Sequence, residues 1–211
     1  AGQFSKDSRY RTELYKLRRK FMSHADGLIH ADLHTSNIMA SRDKMKVIDM
    51  EFAFMGPFGY DLGYLVGNII SQYCAACFKR FPSEQNRKQF KAYLLATIKS
   101  LIETYMKTFT LCWERSVKER YRGQQGLLQS ILQEVMVDMP GYASMVNWFR
   151  SVSDIPYPDF DVIENKDAKR NATVLSLMID WGIMFGRYKY QSADDLIETI
   201  IGIEEEFRKS L

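Results

Sequence analysis

The chain has 211 residues, of which 46% are hydrophobic and 26% charged, and these shares exclude a disordered or low-complexity protein. The length fits one domain with a sizeable core. A formal net charge of +3 is too small to indicate nucleic acid as the main ligand, and no apolar run approaches the ~20 residues that span a bilayer. We therefore expect neither a nucleic-acid nor a membrane partner.

The three cysteines, at positions 74, 77 and 112, indicate a reducing environment. Their odd number, and an N-terminus without an apolar signal segment, argue against a disulfide framework and favour a cytoplasmic protein. Cys74 and Cys77 have the spacing of half a metal site, but no second Cys or His pair follows them. We interpret them as apolar positions on a helix.

Helical patterns dominate the chain. The amphipathic pattern over 10–22 predicts a leading helix within 8–24, and short apolar stretches at 28–30, 38–40 and 45–49 predict small β elements around a polar loop. Prolines at positions 156 and 158 mark a loop between later helices. The remaining helices are predicted over 62–78, 83–119, 124–138, 140–152, 167–188 and 192–209. We expect a mainly α protein with a small β hairpin.

Polar residues concentrate between the β elements, within 28–52. Acidic and amide groups next to a core are costly unless they bind each other, water or a cation, so this cluster indicates a site. Asp32 and Asn37 share a tight loop, and Asp49 and Glu51 are expected at a strand end, directed to the same side. Three carboxylates and one amide oxygen form a donor set suited to Mg²⁺.

The spacing Asp32-x4-Asn37, followed by a strand ending in Asp49, resembles the catalytic loop and metal-binding aspartate of the protein kinase-like superfamily. More specifically, the segments LIHADLHT (28–35) and VIDMEFAFMGPFGYDLG (47–63) are similar to the methylthioribose kinase family, in the aminoglycoside and choline phosphotransferase-like branch. The resemblance implies that 1–211 is a C-terminal, catalytic lobe with a helical subdomain over 60–211. The N-terminal lobe, with its phosphate-covering loop and nucleotide lysine, is absent from the chain.

The resemblance also implies a role for each matching position. Asp32 would be the catalytic base, and it would also contact the acceptor. Asp49 and Glu51 would hold Mg²⁺ against the phosphates of ATP, and Asn37 would be a further metal ligand. This division agrees with phosphoryl-transfer chemistry, in which cations and in-line positioning stabilise the transferred group.

Three further residues receive supporting or substrate roles from the resemblance. His30 and Asp61 would support the catalytic loop structurally. Arg150 would contact the acceptor. The implied function is ATP- and Mg²⁺-dependent phosphoryl transfer to a hydroxyl of a small molecule, with 5-methylthioribose in methionine salvage as the leading acceptor. A homodimer, and a partnership with the missing N-terminal lobe, follow from the resemblance alone.

Departures from the family pattern leave alternatives open. Ala31 replaces the usual Gly, Asn37 stands where the family often has Ser, and Phe149 replaces an expected substrate arginine, which an aromatic ring cannot imitate. Choline, aminoglycosides or homoserine-like alcohols are therefore alternative acceptors. A metal-dependent hydrolase, with His30 and His34 joining the carboxylates, and a non-catalytic kinase-like binding module are alternative functions.

Overall fold

The structure is a computed structural model that describes residues 7–153, 155 and 157–211. The prediction for position 156 lies outside these residues. Within them the chain forms seven α-helices: α1 (Ser8–Ser23), α2 (Gly59–Ala76), α3 (Glu84–Ser116), α4 (Gln125–Val152), α5 (Pro158–Asp161), α6 (Lys166–Gly186) and α7 (Ala193–Lys209). The strands are β1 (Gly27–Ile29), β2 (Ile38–Ala40), β3 (Met45–Val47) and β4 (Phe54–Gly56).

The strands form two small antiparallel sheets rather than one hairpin. Strands β2 and β3 are the expected hairpin, with Ile38 opposite Val47. Strand β1 pairs with β4, an element that the sequence pattern did not predict, and Gly27 lies opposite Gly56. The mainly α fold with a small β portion is confirmed. The additional β1–β4 pair lies directly before α2 in the chain.

Side-chain caps explain where several helices begin. The carboxylate of Asp7 accepts from the backbone N–H of Arg9 and begins α1, and Ser83 caps α3. Ser192 and Asp195 form a reciprocal capping box at the start of α7. Such caps satisfy N–H groups that have no partner within the helix.

The predicted break between helices 124–138 and 140–152 is wrong, because α4 continues through Pro140. A proline inside a helix costs about 3 kcal/mol and leaves the carbonyl four residues earlier, here that of Met136, without its usual donor. Pro140 is buried within α4, and the Arg187 guanidinium donates to the next carbonyl, that of Val137, at 3.1 Å. The tertiary packing of this part of α4 therefore offsets the cost.

Glycines every fourth residue let α2 lie unusually close to α4. A Cβ at Gly63 would lie 2.6 Å from the carbonyl oxygen of Met139, and one at Gly67 would lie 2.5 Å from that of Ala143. Real Cβ atoms do not approach backbone so closely, so only glycine permits this packing. The contact fixes the first turns of α2 against the middle of α4.

Two buried clusters hold the helices together. The larger one lies among α2, α3, α4, α6 and α7. The smaller consists of Tyr10, Leu17, Tyr142 and Met184 and joins α1 to α4 and α6. A buried ion pair between Glu13 and Arg187, at 2.9 Å, also anchors α1. Among the described residues, no helix is long and apolar enough to cross a membrane.

Candidate active site

The loop that contains Asp32 is tied to the start of α2 by Asp61. Its carboxylate accepts from the backbone N–H of His30 at 2.6 Å and from that of Ala31 at 3.0 Å. Burial raises the pKa of Asp61 above its ordinary value, although both N–H donors act in the opposite direction. One side chain thus fixes two successive peptide groups immediately before Asp32.

His30 joins this loop to the segment that carries Asp49. Its Nε2 lies 2.8 Å from the carbonyl oxygen of Ile48, and its Nδ1 lies 3.3 Å from the backbone N–H of Asp32. A carbonyl can only accept and an N–H can only donate, so these two contacts match the tautomer that carries its proton on Nε2. Both ring nitrogens are therefore occupied.

Asp32 itself is oriented and accessible. Its Oδ1 accepts a hydrogen bond from the hydroxyl of Tyr64 at 2.9 Å, and its Oδ2 lies 3.4 Å from Nε2 of His34. The amide of Asn37 donates to the carbonyl of Asp32 at 3.0 Å. The Asp32 side chain is 26% exposed, so a small molecule can reach its carboxylate.

The expectation that Asp49 and Glu51 lie on one side of a strand is wrong. Strand β3 ends at Val47, and Asp49 has a left-handed backbone with φ of 65°. The alternation of a strand therefore does not apply to these residues. Both carboxylates are exposed. The Ile48 N–H donates to the Asn37 carbonyl at 3.0 Å, so Asp49 directly follows a residue that is bound to the loop containing Asp32.

Backbone strain marks the same place. Ala31 has φ of 67°, and together with Asp49 it makes up the left-handed non-glycine residues among those described. This conformation is costly for residues with a Cβ, and strain of this kind concentrates at functional sites. One strained residue immediately precedes Asp32, and the other is the expected metal ligand.

The donor chemistry fits Mg²⁺ bound together with phosphates. The described residues contain no group of three or more His, Cys, Asp or Glu that could hold a metal ion alone. Asp49 and Glu51 offer carboxylates. The Nδ2 of Asn37 donates a hydrogen bond to the Asp32 carbonyl, so the side-chain oxygen of Asn37 remains a potential metal ligand. Mg²⁺ typically takes only one or two carboxylates from the protein and completes its shell with water and substrate phosphates.

A cavity of about 430 Å³ lies beside this centre, among α1, α2, the end of α4 and Tyr157. Tyr64 contributes to its wall and also bonds Asp32, so the cavity adjoins the carboxylate. Three aliphatic side chains line it, Leu14, Met145 and Val146, along with Arg18 and Arg150. The aromatic lining residues are Tyr10, Tyr15, Phe21, Tyr60, Tyr64, Tyr142, Trp148, Phe149 and Tyr157.

Arg150, which the resemblance predicts to contact the acceptor, lies in the cavity wall, and its charge is already paired. Its Nε donates to Oδ2 of Asp159 at 2.7 Å, and its guanidinium lies 4.5 Å from the ring centre of Tyr157. Asp159 is buried and also accepts from Gln72. The cavity wall therefore contains the planar guanidinium of Arg150, whose charge is neutralised by the carboxylate of Asp159.

Most of the cavity could not be predicted from the sequence. Arg150 and Phe149 were the lining residues that the sequence associated with the acceptor. The tyrosines were not, because tyrosine on a helix is usually a packing residue. One available signal was the spacing of Tyr60 and Tyr64, which places two phenols on one face of the helix that follows the candidate site.

Comparison with known proteins finds sequences similar to this chain. Residues 6–101 match the phosphotransferase enzyme family. A methylthioribose kinase of Geobacillus thermodenitrificans is 31% identical over 198 residues, which cover 94% of this chain and 48% of that protein. The corresponding enzyme of Geobacillus kaustophilus is 32% identical over 190 residues, 90% of this chain and 46% of that protein.

Similarity extends beyond bacteria. Methylthioribose kinase 2 of Oryza sativa subsp. japonica is 29% identical over 209 residues, which cover 93% of this chain and 48% of that protein. The chain thus spans about half the length of these curated relatives. The resemblance seen in the loop sequences is confirmed: residues 6–101 match the phosphotransferase enzyme family, and the chain is similar to methylthioribose kinases over nine tenths of its residues.

Proposed function

We propose that the protein transfers the γ-phosphoryl group of ATP to a hydroxyl of a small molecule, with 5-methylthioribose as the leading acceptor. The observation that carries the proposal is the position of Asp32, an accessible carboxylate held by Tyr64 at the border of an aromatic cavity. The whole protein's activity is part of the proposal, because the chain spans about half the length of its relatives.

Each residue of the centre has a defined task in this reaction. Asp32 accepts a hydrogen bond from the acceptor hydroxyl, orients it toward the phosphorus and takes its proton. Asp49, Glu51 and the side-chain oxygen of Asn37 hold Mg²⁺, which neutralises charge on the phosphates when bound. His30 and Asp61 keep the two loops in register through their backbone contacts.

The cavity favours an acceptor with an apolar portion. Its described lining residues include no Asp or Glu, and the charge of Arg150 is paired with Asp159 behind the wall. A polycationic aminoglycoside would therefore find no carboxylate among these lining residues to balance its several charges. A neutral sugar with a thioether is compatible with aromatic walls.

The hydrolase alternative is less consistent with the geometry. A mixed metal site would need a free ring nitrogen on His30, but both nitrogens bond to backbone groups. Such a site would also need several ligands gathered at one point, and no such group exists in the part of the chain that the structure describes.

The test is phosphoryl transfer by the complete protein with ATP, Mg²⁺ and a panel of methylthioribose, choline, homoserine and an aminoglycoside. Asp32→Asn should lower kcat by at least ~100-fold, the contribution typical of a general base, while the variant keeps the wild-type fold. Asp43→Asn, an exposed change in the β2–β3 turn, is the matched control and should retain full turnover. Transfer to none of the acceptors, or full turnover of D32N, would refute the proposal and favour a binding module.

A further inference from the structure

We infer that Tyr64 is a positioning residue for the reaction, which acts by fixing the carboxylate of Asp32 from the wall of the acceptor cavity. The inference rests on the proposed function. It adds a residue outside the catalytic and metal loops, carried by α2, to the groups that set the reacting geometry. Tyr64 does not touch the transferred phosphoryl group in this scheme; it acts through Asp32.

The hydrogen bond divides the two oxygens of Asp32 between two tasks. The Tyr64 hydroxyl lies 2.9 Å from Oδ1, whereas the partner of Oδ2 among the described residues is the more distant His34 Nε2, at 3.4 Å. Oδ2 is therefore the oxygen left to receive the acceptor hydroxyl. A carboxylate held at one oxygen loses rotational freedom, so its other oxygen stays where the acceptor arrives.

Tyr64 keeps the role of donor over the whole physiological pH range. Burial raises the pKa of its hydroxyl, and the hydrogen bond to Asp32 and the charge of that carboxylate raise it further. The phenol therefore remains protonated, and its proton lies toward Oδ1. An ionised phenolate, which would repel Asp32, does not form near neutral pH.

The support behind Tyr64 is rigid. Its neighbour Gly63 lies against the Met139 carbonyl, so α2 has no room to shift toward α4 at this turn. The ring of Tyr60, one turn earlier, lies 6.0 Å from that of Tyr64. A side chain fixed by a close helix pair transmits its position to Asp32 more precisely than a loop residue would.

The experiment compares Tyr64→Phe with Tyr105→Phe in the complete protein, assayed with ATP, Mg²⁺ and methylthioribose, or with whichever acceptor of the panel the wild type uses. Tyr105 is a matched control because its hydroxyl also donates one hydrogen bond of 2.9 Å, to the carbonyl of Phe58, outside the cavity lining. Y64F keeps the ring and removes only the hydroxyl.

Y64F should lower kcat roughly 10-fold or more, a part of the 10²–10⁴ that a positioned base supplies. The KM values for ATP and acceptor should stay within about threefold, because the lost interaction acts on the chemical step. Y105F should retain wild-type kcat. Both variants should show similar losses of thermal stability, since each removes one hydrogen bond.

Wild-type kcat in Y64F, or an equal fall in Y105F, would overturn the inference. A rise in KM without a change in kcat would also overturn it, because Tyr64 would then only line the cavity. The two proposals fail distinguishably: if D32N is inactive while Y64F is fully active, only the role of Tyr64 is wrong. If the wild type transfers phosphoryl to no acceptor, both are wrong.

Discussion

His30 and Ile48 are joined by a hydrogen bond from the imidazole Nε2 to the backbone carbonyl, at 2.8 Å. The N–H of Ile48 in turn donates to the carbonyl of Asn37 at 3.0 Å. Both polar backbone groups of Ile48 are thus bound to the loop that contains Asp32. The candidate base and the candidate metal ligand Asp49 therefore belong to one hydrogen-bonded unit, and a change in either loop displaces the other.

Asp61→Asn should disrupt this hydrogen-bonded unit. Each oxygen of Asp61 accepts one N–H group, Oδ2 that of His30 and Oδ1 that of Ala31, so an amide would place its NH₂ against one of these donors. We expect a loss of about 1–3 kcal/mol in the free energy of unfolding and at least ~10-fold in kcat. Urea unfolding and steady-state kinetics measure the two effects.

Asp195→Asn is the control for this experiment. Its carboxylate also accepts two backbone N–H groups, from Gln191 at 2.7 Å and Ser192 at 2.9 Å, but at the start of α7. D195N should lose stability and keep its kcat. Equal loss of turnover in both variants would contradict the role assigned to Asp61.

Ala31→Gly should stabilise the protein. At φ of 67° the Cβ of Ala31 is strained, and removing it recovers about 1 kcal/mol, part of which is offset by the added freedom of glycine when unfolded. Ala40→Gly, at an exposed position on β2 with an ordinary φ, should destabilise instead. Chemical unfolding of both variants checks the opposite signs, and a less stable A31G would contradict the strain.

Gly63→Ala should be strongly destabilising. The new methyl group would lie 2.6 Å from the Met139 carbonyl oxygen and 2.7 Å from Cβ of Tyr142, and overpacking of this kind costs about 1–3 kcal/mol. Gly202→Ala, on α7 with open space around it, should instead gain up to ~1 kcal/mol from helix propensity. Thermal or urea unfolding distinguishes them. If G63A were as stable as G202A, the close contact of α2 and α4 would be wrong.

Asp180→Asn should change how stability depends on pH. Asp180 is fully buried, and its Oδ1 accepts from Asn147 at 2.7 Å. Oδ2 has no partner among the residues that the structure describes. Burial raises the pKa of Asp180 well above its ordinary value, and the Asn147 hydrogen bond opposes this only in part. The folded protein therefore binds this proton more tightly than the unfolded chain.

The sign follows from this tighter binding. The stability that Asp180 contributes is complete below the ordinary carboxyl pKa and is lost as pH rises toward the higher folded-state pKa. Asn cannot ionise, so D180N should be more stable relative to wild type at pH 8 than at pH 4, by about 1.4 kcal/mol for each tenfold difference in proton affinity. Urea unfolding across this range measures the difference, and a constant difference would contradict the shift.

The local sequence predicted the elements and the reactive cluster, but not the tertiary contacts. Periodicity placed most helices within a few residues, and the polar residues of 28–52 predicted a site around Asp32, whose catalytic role stays a prediction. The break predicted at Pro140 was wrong because local propensity favours a break there, whereas the tertiary packing of the buried part of α4 keeps the helix continuous. The partner of Asp32 could not be predicted, because Tyr64 is 32 residues away in the chain.

Asp49 shows a different limit of the sequence pattern. The alternation of a strand assumes extended backbone, and nothing in the residues around Asp49 signals a left-handed conformation. Similarly, the pairing of Arg150 with Asp159 depends on the position of α5, which brings a buried carboxylate to the end of α4. Both features depend on backbone direction, which residue types specify only weakly.

The close packing of α2 on α4 holds one half of the cavity wall rigidly, whereas the other half lies outside this helix contact. The half built by Tyr60, Tyr64 and Tyr142 cannot move without breaking the helix contact and releasing Asp32. The opposite half, built by α1, the end of α4 and Tyr157, makes no hydrogen bond to the Asp32 carboxylate among the residues that the structure describes. Under the proposed function, substitutions in α1 and at the end of α4 should therefore alter the preference for the acceptor alcohol while the contact that orients Asp32 is kept.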